Sequence, residues 1–316
     1  MSQATANGAR GKKSAFSRTL KTIVQEYQVY LLLLPTLAYF VIFCYAPMYG
    51  AQIAFKDFTP VKGILGSPWV GLQYFREFLS SYYFWRLMKN TLSISLASLV
   101  FGFPIPILFA LLLNEVRSNR YKKVIQTVSY MPHFISLVVI CSLVRLFTAH
   151  NGLIAGFFGL FGYDTRFDML NSGRLFTPIY VGSGIWQNTG WDCIIYLSAL
   201  SGIDMQLYEA ARIDGANRWK QTIHVTLPGI MGTVILLLIL RIGSLMSVGY
   251  EKIILLYNEG IYEYADVISS YVYRRGLVQS DYSYATAIGL FNSLINVILV
   301  VTANAVSKRV SGMGLF

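Results

Sequence analysis

Within one short run, Gln187, Asn188, Trp191 and Asp192 bring together two amides, an indole and a carboxylate at positions i, i+1, i+4 and i+5. On a helix that spacing makes a single stripe. Aromatic faces cover the C–H surfaces of a pyranose ring while amides and carboxylates bond its hydroxyls, so the stripe suits saccharide recognition along a pathway. Asn292 and Asn296 form a similar i,i+4 pair, and Arg241 adds a guanidinium able to grip a carboxylate in two places. The same groups also suit hydrogen bonding between buried helices, and Asp192 with Arg241 a purely structural ion pair. No phosphate-binding loop of the form Gly-x4-Gly-Lys-Ser/Thr is present, and His133, His150 and His224 are scattered without HExxH spacing. The chain is therefore expected to hold no catalytic residue, cofactor or metal of its own.

The elements that must carry these residues are apolar. Of 316 residues, 55% are hydrophobic and 13% charged, too few charges to cover a water-facing surface. The apolar residues gather into runs over Val29–Met48, Thr91–Leu113, Val124–Phe147, Phe176–Leu200, Pro228–Val248 and Ala285–Ser307. Each is long enough to cross a hydrocarbon core of roughly 30 Å as a helix. The expected fold is all-α: a polytopic membrane protein of about six transmembrane helices, with a tail over 1–28 and a single membrane domain over 29–316. Pro35, Pro104, Pro106 and Pro132 fall inside apolar runs and predict kinks. Cys44, Cys141 and Cys193 lie in apolar runs without CxxC spacing and read as small buried hydrophobes.

Charge sets the expected orientation. The tail, the 114–123 loop, the 201–227 loop and the C-terminal end carry five, four, three and two Lys or Arg residues, a density about twice that of the alternate loops. The positive-inside rule then places both termini in the cytoplasm. The net charge of +11 is dispersed between apolar runs rather than gathered on one element, which argues against nucleic acid as a partner and for membrane lipid. The first external loop is basic and aromatic (Tyr74, Phe75, Tyr82, Tyr83, Phe84, Trp85), which suits a stretch at the membrane interface.

The loop 201–228 has the most specific pattern. Asp204 can cap a short helix, Leu207 and Ala211 share one of its faces, and Gly215 can end it in a left-handed turn. A second short helix from about Asn217 would then reach Pro228, making a cytoplasmic helical hairpin. Ala210 and Ala211 leave room for another protein, with Glu209 and Arg212 for polar contacts.

This stretch resembles the EAA loop of binding-protein-dependent importer permeases: Glu209-Ala210-Ala211, three residues, Gly215, nine residues, then Val225-Thr226-Leu227-Pro228. Val225 stands where such permeases usually have Ile, and Asp204 where they often have Pro. Gly71-Leu72-Gln73-Tyr74-Phe75, Asn90-Thr91-Leu92 and Tyr130-Met131-Pro132-His133-Phe134 extend the resemblance, over roughly residues 25 to 310, to the maltose-type carbohydrate permeases. Tyr49-Gly50 and Ala54-Phe55-Lys56-Asp57-Phe58 are similar to the branch associated with polysaccharides such as alginate and pectin fragments.

The resemblance implies a type I ATP-binding-cassette importer permease of the bacterial cytoplasmic membrane. It also implies a second homologous permease, two ATP-binding subunits that hold ATP and Mg, and an extracytoplasmic sugar-binding protein. Glu209, Ala210, Ala211, Arg212, Asp214 and Gly215 would couple the chain to an ATP-binding subunit. Self-contained secondary carriers and polytopic membrane enzymes are the competing classes. The positive balance, the basic outer loop and Arg241 together favour an acidic saccharide as the cargo.

Overall fold

The computed structural model describes residues 25–162 and 167–315; the basic positions Arg10, Lys12, Lys13, Arg18 and Lys21 of the tail lie outside the described residues. The chain is helical almost throughout, because long apolar segments in a bilayer must satisfy every backbone N–H and C=O internally. In chain order the principal helices are α1 (Tyr27–Phe55), α2 (Gln73–Ser80), α3 (Tyr83–Glu115), α4 (Asn119–Tyr130) and α5 (Leu137–Thr148). They continue with α6 (Gly173–Ser201), α7 (Met205–Ile213), α8 (Arg218–Gly243), α9 (Tyr250–Leu256), α10 (Ile268–Tyr273) and α11 (Tyr282–Ser311).

Among the described residues five helices are long and apolar enough to cross a membrane: α1, α3, α5 with its continuation to Gly159, α8 and α11. The sixth expected span is α6, whose 29 residues give it a length of about 44 Å. Its stripe of polar residues makes it less apolar than the others, as suits a helix packed among neighbours instead of facing lipid. It packs against α3, α4 and α8, while α8 and α11 pair alongside.

Three apolar clusters hold the helices together. Ile107, Leu113, Cys193, Tyr196 and Ile230 join α3, α6 and α8. Ile94, Ile140, Val144, Phe176, Ile253 and Val267 join α3, α5, α6 and the segment after α8. Phe78, Leu87, Met246, Ile268, Tyr284 and Ile288 join α2, α3, the chain just after α8, α10 and α11. Cys141 and Cys193 are buried, and Cys44 is half-buried.

The structure revises several expected boundaries. The run Val124–Phe147 is not one helix: α4 ends at Tyr130, Met131–Phe134 forms a tight turn, and α5 begins at Leu137 with Ser136 as its cap. Pro132 lacks an amide proton, so a regular helix cannot pass through it without losing a bond. The fifth run ends at Gly243, not Val248, and the chain continues through 244–249 outside any helix. The segment 249–284 is not a simple loop, for Ile253, Ala265, Val267 and Ile268 are fully or almost fully buried. Its alternating apolar and polar residues are too broken for a hydropathy reading but pack readily against α3, α5 and α6. In the first loop, expected to be external, Tyr82 and Trp85 are exposed, but Phe78 belongs to the core.

Apart from one at Arg274–Val278, wide turns with i→i+5 hydrogen bonding occupy Phe40–Tyr45, Ser98–Gly102 and Thr222–Thr226. Each ends two residues before a proline: Pro47, Pro104 and Pro228. A proline ring clashes with the carbonyl four residues back, here on Phe43, Val100 and His224, and the extra residue in the wide turn shifts that carbonyl aside.

Candidate functional site

Two features could carry functional geometry, the loop between α6 and α8 and a cavity within the helices. In the loop, the Asp204 carboxylate accepts the Gln206 amide at 2.9 Å and starts α7. Gly215 ends it with φ +74°, while the Ala216 amide donates to the Ala211 carbonyl at 2.8 Å. A Cβ is disfavoured at that φ, which is the reason for glycine there. Asn217 then caps the next helix through the Lys220 amide at 2.9 Å.

That helix is not the separate arm of a hairpin. Its residues run through the wide turn Thr222–Thr226 straight into α8, so the loop and the fifth span form one continuous helix from Arg218 to Gly243. Pro228 does not break it, because the wide turn absorbs the missing bond. The loop is tied to the bundle by Arg218 donating to Glu115 at 2.7 Å and by Tyr208 sharing a hydrogen bond with Thr226 at 3.0 Å. Glu209, Ala210, Arg212, Asp214 and Gly215 are exposed, and Ala211 is half-buried. Met205, Leu207, Ile213 and Trp219 are more than half exposed in the same loop, a concentration of apolar surface that water alone does not favour.

The cavity has a volume of about 450 Å³, within the range of small-molecule sites. It lies between α3, α6, the end of α8 and α9. Gln187, Asn188 and Asp192 line it from α6, and Arg241 from α8. Ser95, Ser98, Thr189, Ser244 and Ser247 add hydroxyls. Asp192 and Arg241 share the cavity without forming an ion pair within 4.0 Å among the described residues. Both remain available to a hydroxylated or charged guest.

Three residues of the expected pathway lie outside this lining. Trp191 stacks on His133 with ring centroids 4.6 Å apart, and Phe134 meets its edge at 5.5 Å. His133 also reaches Asn188, Nδ1 to Oδ1 at 3.1 Å. The Met131–Phe134 turn thereby clasps α6. Gly190 permits that approach, since a Cβ there would meet the backbone of Ser129. Asn296 accepts the Met246 amide at 3.0 Å and donates to Ser247 Oγ at 2.8 Å, holding the non-helical chain after α8. Asn292 has a buried Oδ1 without a hydrogen-bond partner.

Sequence reasoning missed two groups. Lys252 of α9 is buried and lines the cavity, placed there by the fold of a segment that reads as loop. Asp266, fully buried, pairs with Arg274 at 2.6 Å and stands 3.7 Å from Arg86. Asn90 donates to the carbonyls of Glu263 and Asp266, each at 3.0 Å, and Thr91 accepts the Ile268 amide at 3.0 Å. The Asn90-Thr91 stretch thus fastens the segment after α8 to α3. An isolated Asp in a segment that otherwise reads as loop was the available signal.

Residues 102–312 match the family model described as binding-protein-dependent transport system inner membrane component. The polygalacturonan/rhamnogalacturonan transport system permease protein YteP of Bacillus subtilis (strain 168) is 43% identical, over 96% of this chain and 95% of that protein. Protein LplB of the same organism is 44% identical, over 97% and 95%. Among solved structures, a chain of a bacterial ABC transporter involved in the import of the acidic polysaccharide alginate is 44% identical with a TM-score of 0.84, over 93% of this chain and 99% of that one. A chain of the alginate transporter in complex with an alginate pentasaccharide-bound periplasmic protein gives 43% and 0.85, over 94% and 100%. With a continuous family match, an EAA loop at the head of α8 and a polar cavity in the bundle, this chain belongs to the binding-protein-dependent transport permeases of the inner membrane and is not an enzyme.

Proposed function

We propose that this permease passes acidic oligo- or polysaccharide into the cytoplasm, paired with a second homologous permease, two ATP-binding subunits and an extracytoplasmic sugar-binding protein. Both termini face the cytoplasm in this reading, which follows the distribution of Lys and Arg. The observation that carries it is the cavity in which Gln187, Asn188, Asp192 and Arg241 meet several hydroxyls. Amides and hydroxyls match the hydroxyls of a sugar, and a guanidinium matches a uronate carboxylate. The relatives named for alginate and for polygalacturonan, a polymer of a uronic acid, support the acidic class.

The loop receives force from the ATP-binding subunit through the exposed surface around Glu209 and α7. Because α8 is unbroken from Arg218 to Gly243, about 35 Å of helix links that loop to Arg241 at the cavity. Movement at one end therefore displaces the other, switching the cavity between outward and inward access.

The test is reconstitution in liposomes. The chain alone should neither hydrolyse ATP nor accumulate saccharide; gradient-driven accumulation would identify a carrier and turnover of a lipid or sugar an enzyme. The full assembly should hydrolyse ATP faster with acidic than with neutral oligosaccharides of matched length, compared at two salt concentrations. Equal stimulation by neutral glucans would remove the acidic class.

A further inference from the structure

Lys252 is buried, with only 8% of its surface exposed, yet it belongs to the lining of the polar cavity. Its Nζ donates to the Tyr180 carbonyl at 2.9 Å and lies over the Tyr180 ring, 4.7 Å from the centroid. An ammonium has three protons to donate, and this carbonyl takes one. Among the described residues no carboxylate oxygen stands within 4.0 Å of Nζ. Gly184 faces the same nitrogen, for a Cβ on it would come within 3.3 Å of Nζ. A larger residue at 184 would crowd the head group against the cavity wall.

Burying a cation without a counter-ion is costly, and a carbonyl with a ring face compensates only in part. Lining the cavity are two cations, Lys252 and Arg241, and one carboxylate, Asp192. One positive charge is left unmatched by the protein. A guest bearing a carboxylate would match it.

We infer that Lys252 is the specificity-determining residue that recognises the carboxylate of a uronate unit as the saccharide passes through the cavity. This rests on the proposed acidic cargo and assigns its recognition to a particular ammonium. Tyr180 positions that ammonium: its carbonyl fixes one proton and its ring covers one side, leaving the remaining protons for the cargo.

The experiment uses the complete transporter with its binding protein and two probes of equal length, an oligogalacturonate and the same oligomer with its carboxyls methyl-esterified. Half-saturating concentrations for stimulated ATP hydrolysis are measured for wild type, Lys252→Gln and Lys252→Arg. Any selectivity of the binding protein is common to all three and cancels when ester-to-acid ratios are compared. Lys252→Gln, which can still donate to the Tyr180 carbonyl, should lower the ratio about tenfold, whereas Lys252→Arg should retain most of it. A role confined to holding α9 against α6 would weaken both probes equally and leave the ratio unchanged. That result, or failure of Lys252→Gln to assemble, would overturn the inference while the acidic cargo stood. A wild-type transporter indifferent to esterification would instead overturn the acidic cargo itself.

Discussion

The imidazole of His133 lies flat on the indole of Trp191, with ring planes 2° from parallel. Through this contact the turn that interrupts the third apolar run is fixed to the helix carrying the polar stripe, one position from Asp192 of the cavity. Such aromatic contacts contribute about 0.5–1.5 kcal/mol beyond the area they bury. His133→Ala and Trp191→Ala should each lower the thermal stability of the assembled transporter, and the double variant should lose less than the two losses combined. Simple additivity would show that the stack does not join the two segments energetically.

At Gly215 a valine would have to adopt φ +74°, and the left-handed region costs an ordinary residue about 1–2 kcal/mol. Since nothing lies within 4 Å of the added Cβ, the damage would be to backbone direction and not to packing. Gly215→Val should leave the chain in the membrane and abolish saccharide uptake. Normal uptake with normal stimulated ATP hydrolysis would exclude a coupling role for this turn.

Asn296 and Asn292 should respond differently to the same change. Asn296→Leu strips the Met246 amide of its acceptor, a loss of about 1–3 kcal/mol for a buried group. Asn292→Leu removes an Oδ1 that has no partner, so its effect on thermal unfolding should be smaller. Equal destabilisation by the two would contradict these assignments.

Asp266 holds the segment after α8 in place by countering Arg274 at 2.6 Å and Arg86 at 3.7 Å. Asp266→Asn leaves both guanidinium groups without that charge, and breaking a buried pair from one side costs about 3–5 kcal/mol. Arg86→Met, which removes the more distant partner, should cost less. Thermal unfolding of the purified assembly orders the two variants, and the reverse order would place the main counter-charge on Arg86.

Helix content, most of the spans and the short helix and turn of the 201–217 loop were legible in the sequence, because each rests on local chemistry. Apolar length identifies a span, Asp204 and Gly215 mark the ends of α7, and Glu209-Ala210-Ala211 has a recognisable spacing. The cavity was legible only in part. Gln187, Asn188 and Asp192 reach it because helical periodicity puts them on neighbouring faces, whereas Trp191 is taken by His133 from a segment more than fifty residues away. Lys252 escaped notice for the same reason in reverse. A lone lysine in a mixed segment reads as an exposed loop cation until α9 packs against α6 and buries it. Contacts between distant segments leave no local spacing to read.

The wide turn at Thr222–Thr226 also sets a rotational phase along α8. An added residue advances everything beyond it by about 100° around the helix axis. The direction in which Arg218 and Trp219 point is thereby offset from the direction in which Arg241 enters the cavity, and no regular helix of the same sequence would keep both. Deleting one residue from this turn would shorten the arm by only about 1.5 Å but swing the loop to another side of the bundle. The linkage thus depends on angle far more than on length.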